Sequence, residues 1–374
     1  MPATWRSSAA QVFVAGRIAK IDDYWAVRKL TWDIFFIIEE WDLWDVAFPY
    51  PKMANDVKRD WKAYQAGPTF RDKLFGSKRT LGADIINSVE SNVVTPLQQL
   101  FENSRLTINF NGNGWFGAQA GFPEYKSMWD RLKDNVSLNV SKSAANPADV
   151  RAKADRWALY GQFGKADTKA AMTGMNLPHV KKTDPGQGVG ETFFYSPKKA
   201  KVTDSQVFAA LNYGHRQHGS NIGYGQSYFE LDDDFKKEAI FFAMDTFTPL
   251  YGASGIKTKA QRSKLYQISA GAFGGAILLA IKSQYDENPS NTNKTHSIEL
   301  AKDLLQAARN GAPKEDTNEN HLMIEAHIFR EVKMARGCIN RVFLSKKELS
   351  AAPNASNHLQ AFTQQTGITH HYIP

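Results

Sequence analysis

Leu211-Asn-Tyr-Gly-His-Arg-Gln-His-Gly-Ser-Asn-Ile-Gly-Tyr-Gly-Gln-Ser-Tyr-Phe-Glu-Leu231 runs from a polar, glycine-bearing stretch into Ser227–Leu231, which is short, aromatic and flanked by turn residues, as a strand should be. Gly214, Gly219, Gly223 and Gly225 are spaced too loosely for one phosphate loop, yet they let backbone approach a ligand closely. His215, Arg216, His218, Ser227 and the tyrosines around them supply polar and stacking groups. The competing reading is a solvent-exposed loop entering a strand.

Outward from this stretch, the residues after 190 read as short strands with two longer helices. Thr192–Tyr195, Ala239–Met244 and Asn340–Leu344 have strand character, whereas 260–282 and 296–310 read as helices. Leu322-Met-Ile-Glu-Ala-His-Ile-Phe329 fits either state by pattern. As a strand it puts Glu325 and His327 on one face and Ile324, Ala326 and Ile328 on the other. An unpartnered carboxylate is costly to bury, so Glu325 should line a cleft or have a partner, and a structural ion pair is the plainer of the two readings.

Before residue 190 the chain reads mainly helical. Trp25, Val27, Leu30, Ile34, Ile37, Ile38 and Trp41 recur mostly at three- and four-residue steps, the spacing of a buried helical face, and Pro49 and Pro51 end the pattern. Further helices are expected over 54–64, 82–102 and 148–163, with a strand at Leu106–Phe110 and a turn-rich loop at 111–117.

The 374-residue chain is long for one core, since single cores stop growing near about 250–300 residues. All nine tryptophans precede residue 158 and eight of nine histidines follow residue 200, while Lys181–Glu191 carries two lysines, a proline and three glycines. The expectation is therefore a mainly helical, Trp-rich unit, 1–190, followed by an α+β unit, 191–374, that carries the chemistry. A formal charge of +8 suits acidic partners, but its lysine clusters are too short to make a nucleic-acid arm. One cysteine, Cys338, excludes an internal disulfide, and the first residues lack a secretory signal pattern, which fits a soluble protein in a reducing cytosol. No apolar run approaches the roughly eighteen residues of a membrane span.

Other chemistries are poorly served. His215 and His218 have H-x-x-H spacing, but there is no H-E-x-x-H helix and no cysteine-rich zinc pattern. Gly225-Gln-Ser-Tyr-Phe229 lacks the second glycine of a nucleophile elbow, and Gly186–Gly190 lacks the strand and helix that a dinucleotide fingerprint needs.

The order of three elements resembles the ADP-ribosyltransferase-like toxins and effectors: a Tyr/His/Arg-bearing segment, a Tyr-Gly-x-Ser-Tyr-Phe strand and a later apolar strand with one glutamate. The resemblance covers about residues 205–345 and leaves the first half unexplained. It implies an α+β fold with a split sheet, and NAD as the substrate from which ADP-ribose is transferred or, in a glycohydrolase, released. By that resemblance His215 or Arg216 would hold the pyrophosphate or ribose, with Tyr213 and Tyr224 beside them. Ser227 and Tyr228 would shape the nicotinamide pocket, and Glu325 would stabilise the oxocarbenium-like transition state. An Arg216–Ser227–Glu325 set and a His215–Tyr228–Glu325 set can both be drawn. Arginine-modifying members carry an acidic residue or Gln two positions before the glutamate, where this chain has Met323. The resemblance thus implies a macromolecular acceptor, protein first and nucleic acid second, without naming the acceptor residue. The missing secretory signal would suit delivery into a target cell through a specialised apparatus, and suits an ordinary cytosolic protein equally. The rival class is a non-catalytic protein- or nucleic-acid-binding protein.

Overall fold

Residues 11–14, 17–20, 24–66, 77–116, 180–182, 193–195, 207–244, 268–287, 291–311, 322–328, 332–350 and 354–374 are described by the computed structural model. Strands β1 (Gln11–Val14) and β2 (Arg17–Lys20) form a hairpin. Helices α1 (Tyr24–Glu40), α2 (Trp44–Ala47), α3 (Pro51–Gln65), α4 (Ser77–Val89) and α5 (Thr95–Asn103) follow, and then β3 (Arg105–Phe110) and α6 (Gly112–Phe116). β4 (Val180–Lys182) and β5 (Phe193–Tyr195) pair with each other and, among the described residues, with no other strand. After them come β6 (Val207–Asn212), β7 (Ser227–Leu231), α7 (Asp233–Glu238), β8 (Ile240–Phe242), β9 (Ile268–Ser269), α8 (Phe273–Glu287) and α9 (Asn291–Asn310). β10 (Glu325–Ile328), β11 (Ile339–Ser345), α10 (Lys346–Leu349), α11 (Ala355–Thr366) and β12 (Thr369–Ile373) complete the order. The expected helix over 148–163 and most of the Lys181–Glu191 loop lie outside the described residues.

The main sheet runs β12-β11-β7-β3-β6-β10-β8-β9, and the β1–β2 hairpin extends it through a single Val12–Ile268 pair. Only β11 and β12 are parallel, as a crossover through α10 and α11 requires; the other neighbours are antiparallel. With helices packed on it, this mixed sheet is an α+β fold. The expected boundary at residue 190 is crossed by the sheet itself, because β3 lies between β6 and β7. Buried apolar side chains from Leu30 to Ile368 form one cluster, so the helical first part and the strand-bearing second part share a core. Among the described residues no helix is long and apolar enough to cross a membrane.

The sequence of β3, Arg-Leu-Thr-Ile-Asn-Phe, alternates, and the pleat turns that alternation into two faces. Leu106, Ile108 and Phe110 are buried toward the helices. On that face Phe241 meets Phe101 of α5 at 5.0 Å, Phe101 stacks on Phe273 of α8 at 4.7 Å, and Phe116 meets Phe362 of α11 at 5.4 Å. On the opposite face the register lines up Arg341, Glu230, Thr107, Ala210, Glu325 and Phe242 in one row across five strands and β8. His371, Phe343, Tyr228 and Asn109 form part of the adjacent row. This second face is where polar groups gather.

The helix expected over 82–102 is continuous but not uniform. Residues Glu90–Val94 form a π turn immediately before Thr95-Pro96. Proline inside a helix lacks the N–H and its ring crowds the carbonyl four residues back, and one widened turn relieves that crowding. The bulge also presents the Val94 carbonyl to α8, where only glycine fits: a Cβ on Gly274 would lie 2.3 Å from Val94 O and 2.8 Å from the Gln98 Cβ. Gly274 N–H donates to Gln98 Oε1 at 2.9 Å, closing the contact. Gly274→Ala is expected to lower unfolding stability by about 1–3 kcal/mol, the range for an overpacked core, measured by urea denaturation.

Candidate functional site

The glycine-bearing loop after β6 lies over the polar face and is fastened to β3. Asn109 Nδ2 donates to the carbonyls of His218 at 2.6 Å and Gly225 at 2.9 Å, and Thr107 Oγ1 donates to Ser220 Oγ at 2.9 Å. Gly219 has φ +80° and Gly225 φ +132°, and a Cβ on Gly225 would lie 2.1 Å from the Phe110 carbonyl carbon. The close backbone approach that the sequence suggests for a ligand is thus made to the sheet's own strand at these two positions.

Tyr213 and Arg216 sit in the interior. The Tyr213 hydroxyl is 2.7 Å from Asp303 Oδ2 on α9 and 2.8 Å from the Leu322 carbonyl. Arg216, 2% exposed, donates through Nη1 to Ser220 O at 2.8 Å and through Nη2 to the Tyr213 hydroxyl at 3.2 Å, with Asp303 Oδ2 at 3.5 Å. Burial, with the Asp303 carboxylate beside it, pushes the Tyr213 phenol well above its ordinary value, so it stays a donor. Breaking such a buried pair by removing one partner leaves the other charge uncompensated, which marks this group as a clamp between the loop and α9. His215, by contrast, is exposed and has φ +50°.

Ser227 and Tyr228 point to opposite faces, as adjacent strand residues must. Ser227 pairs with Phe110 on the helix-facing side, where its hydroxyl donates to Glu348 Oε2 at 2.7 Å and accepts from Ser345 N–H at 3.0 Å. Glu348 also accepts from the backbone N–H groups of Gly112 at 2.8 Å and Gln226 at 2.7 Å, so one carboxylate ties α6, the loop and β7 to α10. Tyr228 faces the polar side and stacks on Phe343 at 4.6 Å, which in turn stacks on His371 at 5.4 Å.

Glu325 and His327 share the polar face of β10, with His327 Nε2 2.6 Å from Glu325 Oε1. They are 2% and 0% exposed. His327 is flanked by Phe242 at 4.6 Å and by the edge of Phe208 at 4.9 Å. β10 is indeed a strand, and it lies beside the strand that leads into Tyr213 and Arg216: Leu211 N–H donates to the Ile324 carbonyl at 2.9 Å. The three elements do not all converge, however. β3 and β6 separate Tyr228 from Glu325, about 14 Å at ordinary strand spacing, and Ser227 lies on the other side of the sheet. Tyr224, 47% exposed, lines a separate open cleft with Glu348.

Glu348, Phe208 and Phe242 were not singled out by sequence. Phe242 reads there only as a strand residue and the strand that holds Phe208 is not anticipated, and nothing local announces that Glu348 will meet Ser227. Among the described residues no three His, Cys, Asp or Glu side chains cluster as a metal site would require. Ser227→Ala should cost about 1–3 kcal/mol of stability, because it leaves the buried Ser345 N–H without its acceptor; chemical denaturation of the two proteins side by side checks this. Comparison with protein-family models and with curated protein sequences finds no match, so the chemistry of this face rests on its own geometry.

Proposed function

We propose that the protein cleaves the nicotinamide–ribose bond of NAD, using Glu325, and passes ADP-ribose to a macromolecular acceptor. The observation that carries this is the Glu325–His327 pair, fixed at 2.6 Å in mid-sheet beside two phenylalanine rings. Apolar side chains would stabilise such a position at least as well as an ion pair, so a buried carboxylate and imidazole there are better explained by use than by packing. In this reading the β6–β10–β8 part of the sheet is the NAD-holding half of a split sheet. The adjacency of the Tyr213–Arg216 segment to β10 supports it, in the order that the family resemblance implies.

The C1′–N bond breaks with both electrons going to nicotinamide, which leaves neutral, and positive charge develops on the ribose. A carboxylate already fixed in place stabilises that charge in the transition state more than in the ground state. His327 orients the carboxylate, and the phenylalanine rings give the planar nicotinamide an apolar wall. The acceptor nucleophile adds to C1′ and its proton passes to Glu325. With water in that place the same site is an NAD glycohydrolase. A toxin or effector role follows from the family resemblance alone.

Incubating the purified protein with labelled NAD, with and without cell lysate, should give nicotinamide release and, with lysate, labelled macromolecules. Glu325→Gln keeps the shape and removes the charge, and should lower turnover at least about a hundredfold with the melting temperature held, as loss of one preorganised electrostatic contact does. A purely structural Glu325 would give the reverse pattern, a lower melting temperature with turnover per folded molecule unchanged. Wild-type protein that releases no nicotinamide would overturn the proposal.

A further inference from the structure

A cleft of about 490 Å³, whose lining does not include Glu325, is bounded by Asn111, Asn113, Tyr224, Gln226, Lys347 and Glu348. Its walls are held rigidly. The Asn221 side chain accepts from Gly223 N–H at 2.8 Å and caps the single 3₁₀ turn Ile222–Tyr224, and Gly225, at φ +132°, seats the end of that turn against Phe110. Tyr224 is thereby presented to solvent from a fixed backbone.

Two carboxamides of this cleft are oriented by bonds to their oxygen ends. Asn111 Oδ1 accepts from Gly114 N–H at 2.8 Å, and Gln226 Oε1 accepts from Ser345 Oγ at 3.2 Å. Each therefore has its NH₂ end left over as a donor. The Asn113 side chain makes no hydrogen bond among the described residues, and Lys347 is exposed without an ion pair there. Glu348 supplies the complementary function: Oε2 accepts from Gly112 N–H and Ser227 Oγ, but Oε1 accepts only from Gln226 N–H, leaving it one further lone pair. The cleft thus combines one aromatic ring, two oriented amide donors and a third amide at Asn113, one cation and one acceptor carboxylate.

We propose that this cleft binds a saccharide. Sugar hydroxyls both donate and accept, matching the Glu348 oxygen on one side and the amide NH₂ groups on the other, while the C–H face of a pyranose ring packs on Tyr224. A phosphate or nucleotide fits less well, because its charge would meet the Glu348 carboxylate, and the polar lining offers an apolar ligand little to bury against. The site is separate from Glu325 and does not depend on the NAD reading.

Titrating the full chain with cellotetraose, maltotetraose and chitotetraose, followed by NMR shifts and calorimetry, should show binding of at least one. Tyr224→Ala should weaken that binding about tenfold or more, a 1.4 kcal/mol loss, and Asn113→Ala and Gln226→Ala severalfold each. Melting temperatures report whether each variant is folded, and Tyr50→Ala, an exposed tyrosine elsewhere, should bind as wild type does. Three results would each overturn the proposal: no tetrasaccharide binds, binding survives Tyr224→Ala, or inorganic phosphate or ADP displaces the sugar. NAD turnover, measured in parallel, is expected to be the same with and without the sugar, so failure of one proposal leaves the other standing.

Discussion

β3 is hydrogen-bonded along both edges, to β6 on one side and β7 on the other, and every site described here depends on that double pairing. Its alternating residues decide which face of the sheet receives helices and which receives the loop. Leu106, Ile108 and Phe110 commit one face to α5, α8 and α11, so that Thr107 and Asn109 are left to pin Gly219–Gly225 on the other. A one-residue slip of β3 would exchange these sets, placing an amide and a hydroxyl in the aromatic core and three large apolar side chains under a polar loop.

Much of the secondary structure was legible because it is locally encoded. The spacing of Leu30, Ile34, Ile37 and Ile38 found α1, the short aromatic run between turn residues found β7, and Glu325 and His327 share a face as period two demands. The ambiguity of 322–329 is resolved only by neighbours: β10 is a strand because β6 and β8 offer it edges. β6 itself, Val-Phe-Ala-Ala-Leu-Asn, lacks the alternation of a half-exposed strand since all but one of its residues are buried. Of the helix expected over 260–282, residues 260–267 lie outside the described residues, Ile268–Ser269 form a strand paired with β8 and β1, and helix α8 begins only at Phe273.

The site was less legible, and the reason is distance along the chain. The glycines read as places where backbone approaches a ligand, but at Gly219 and Gly225 the close neighbour is β3, a hundred or so residues away in sequence. Ser227 looked like a pocket residue for its polarity among aromatics; its hydroxyl is used instead by Glu348 and the Ser345 backbone. The asymmetry of tryptophan and histidine suggests separate units, yet early helices carrying Trp41, Trp44 and Trp61 and late helices such as Phe273–Glu287 contribute to the same core cluster.

The double pairing of β3 also sets an order of events during synthesis. When α4, α5 and β3 have left the ribosome, Thr107 has neither Ala210 nor Glu230 to bond. At about 5–20 residues per second, both edges of an apolar strand stand open for on the order of ten seconds before β6 and β7 emerge. Unpaired strand edges beside aromatic side chains are templates for association with other chains. This nascent chain therefore has a built-in need for shielding, by chaperones or by the ribosome surface, that lasts until Leu231 is made, and conditions that slow translation between Phe110 and Val207 would be expected to favour aggregation over folding.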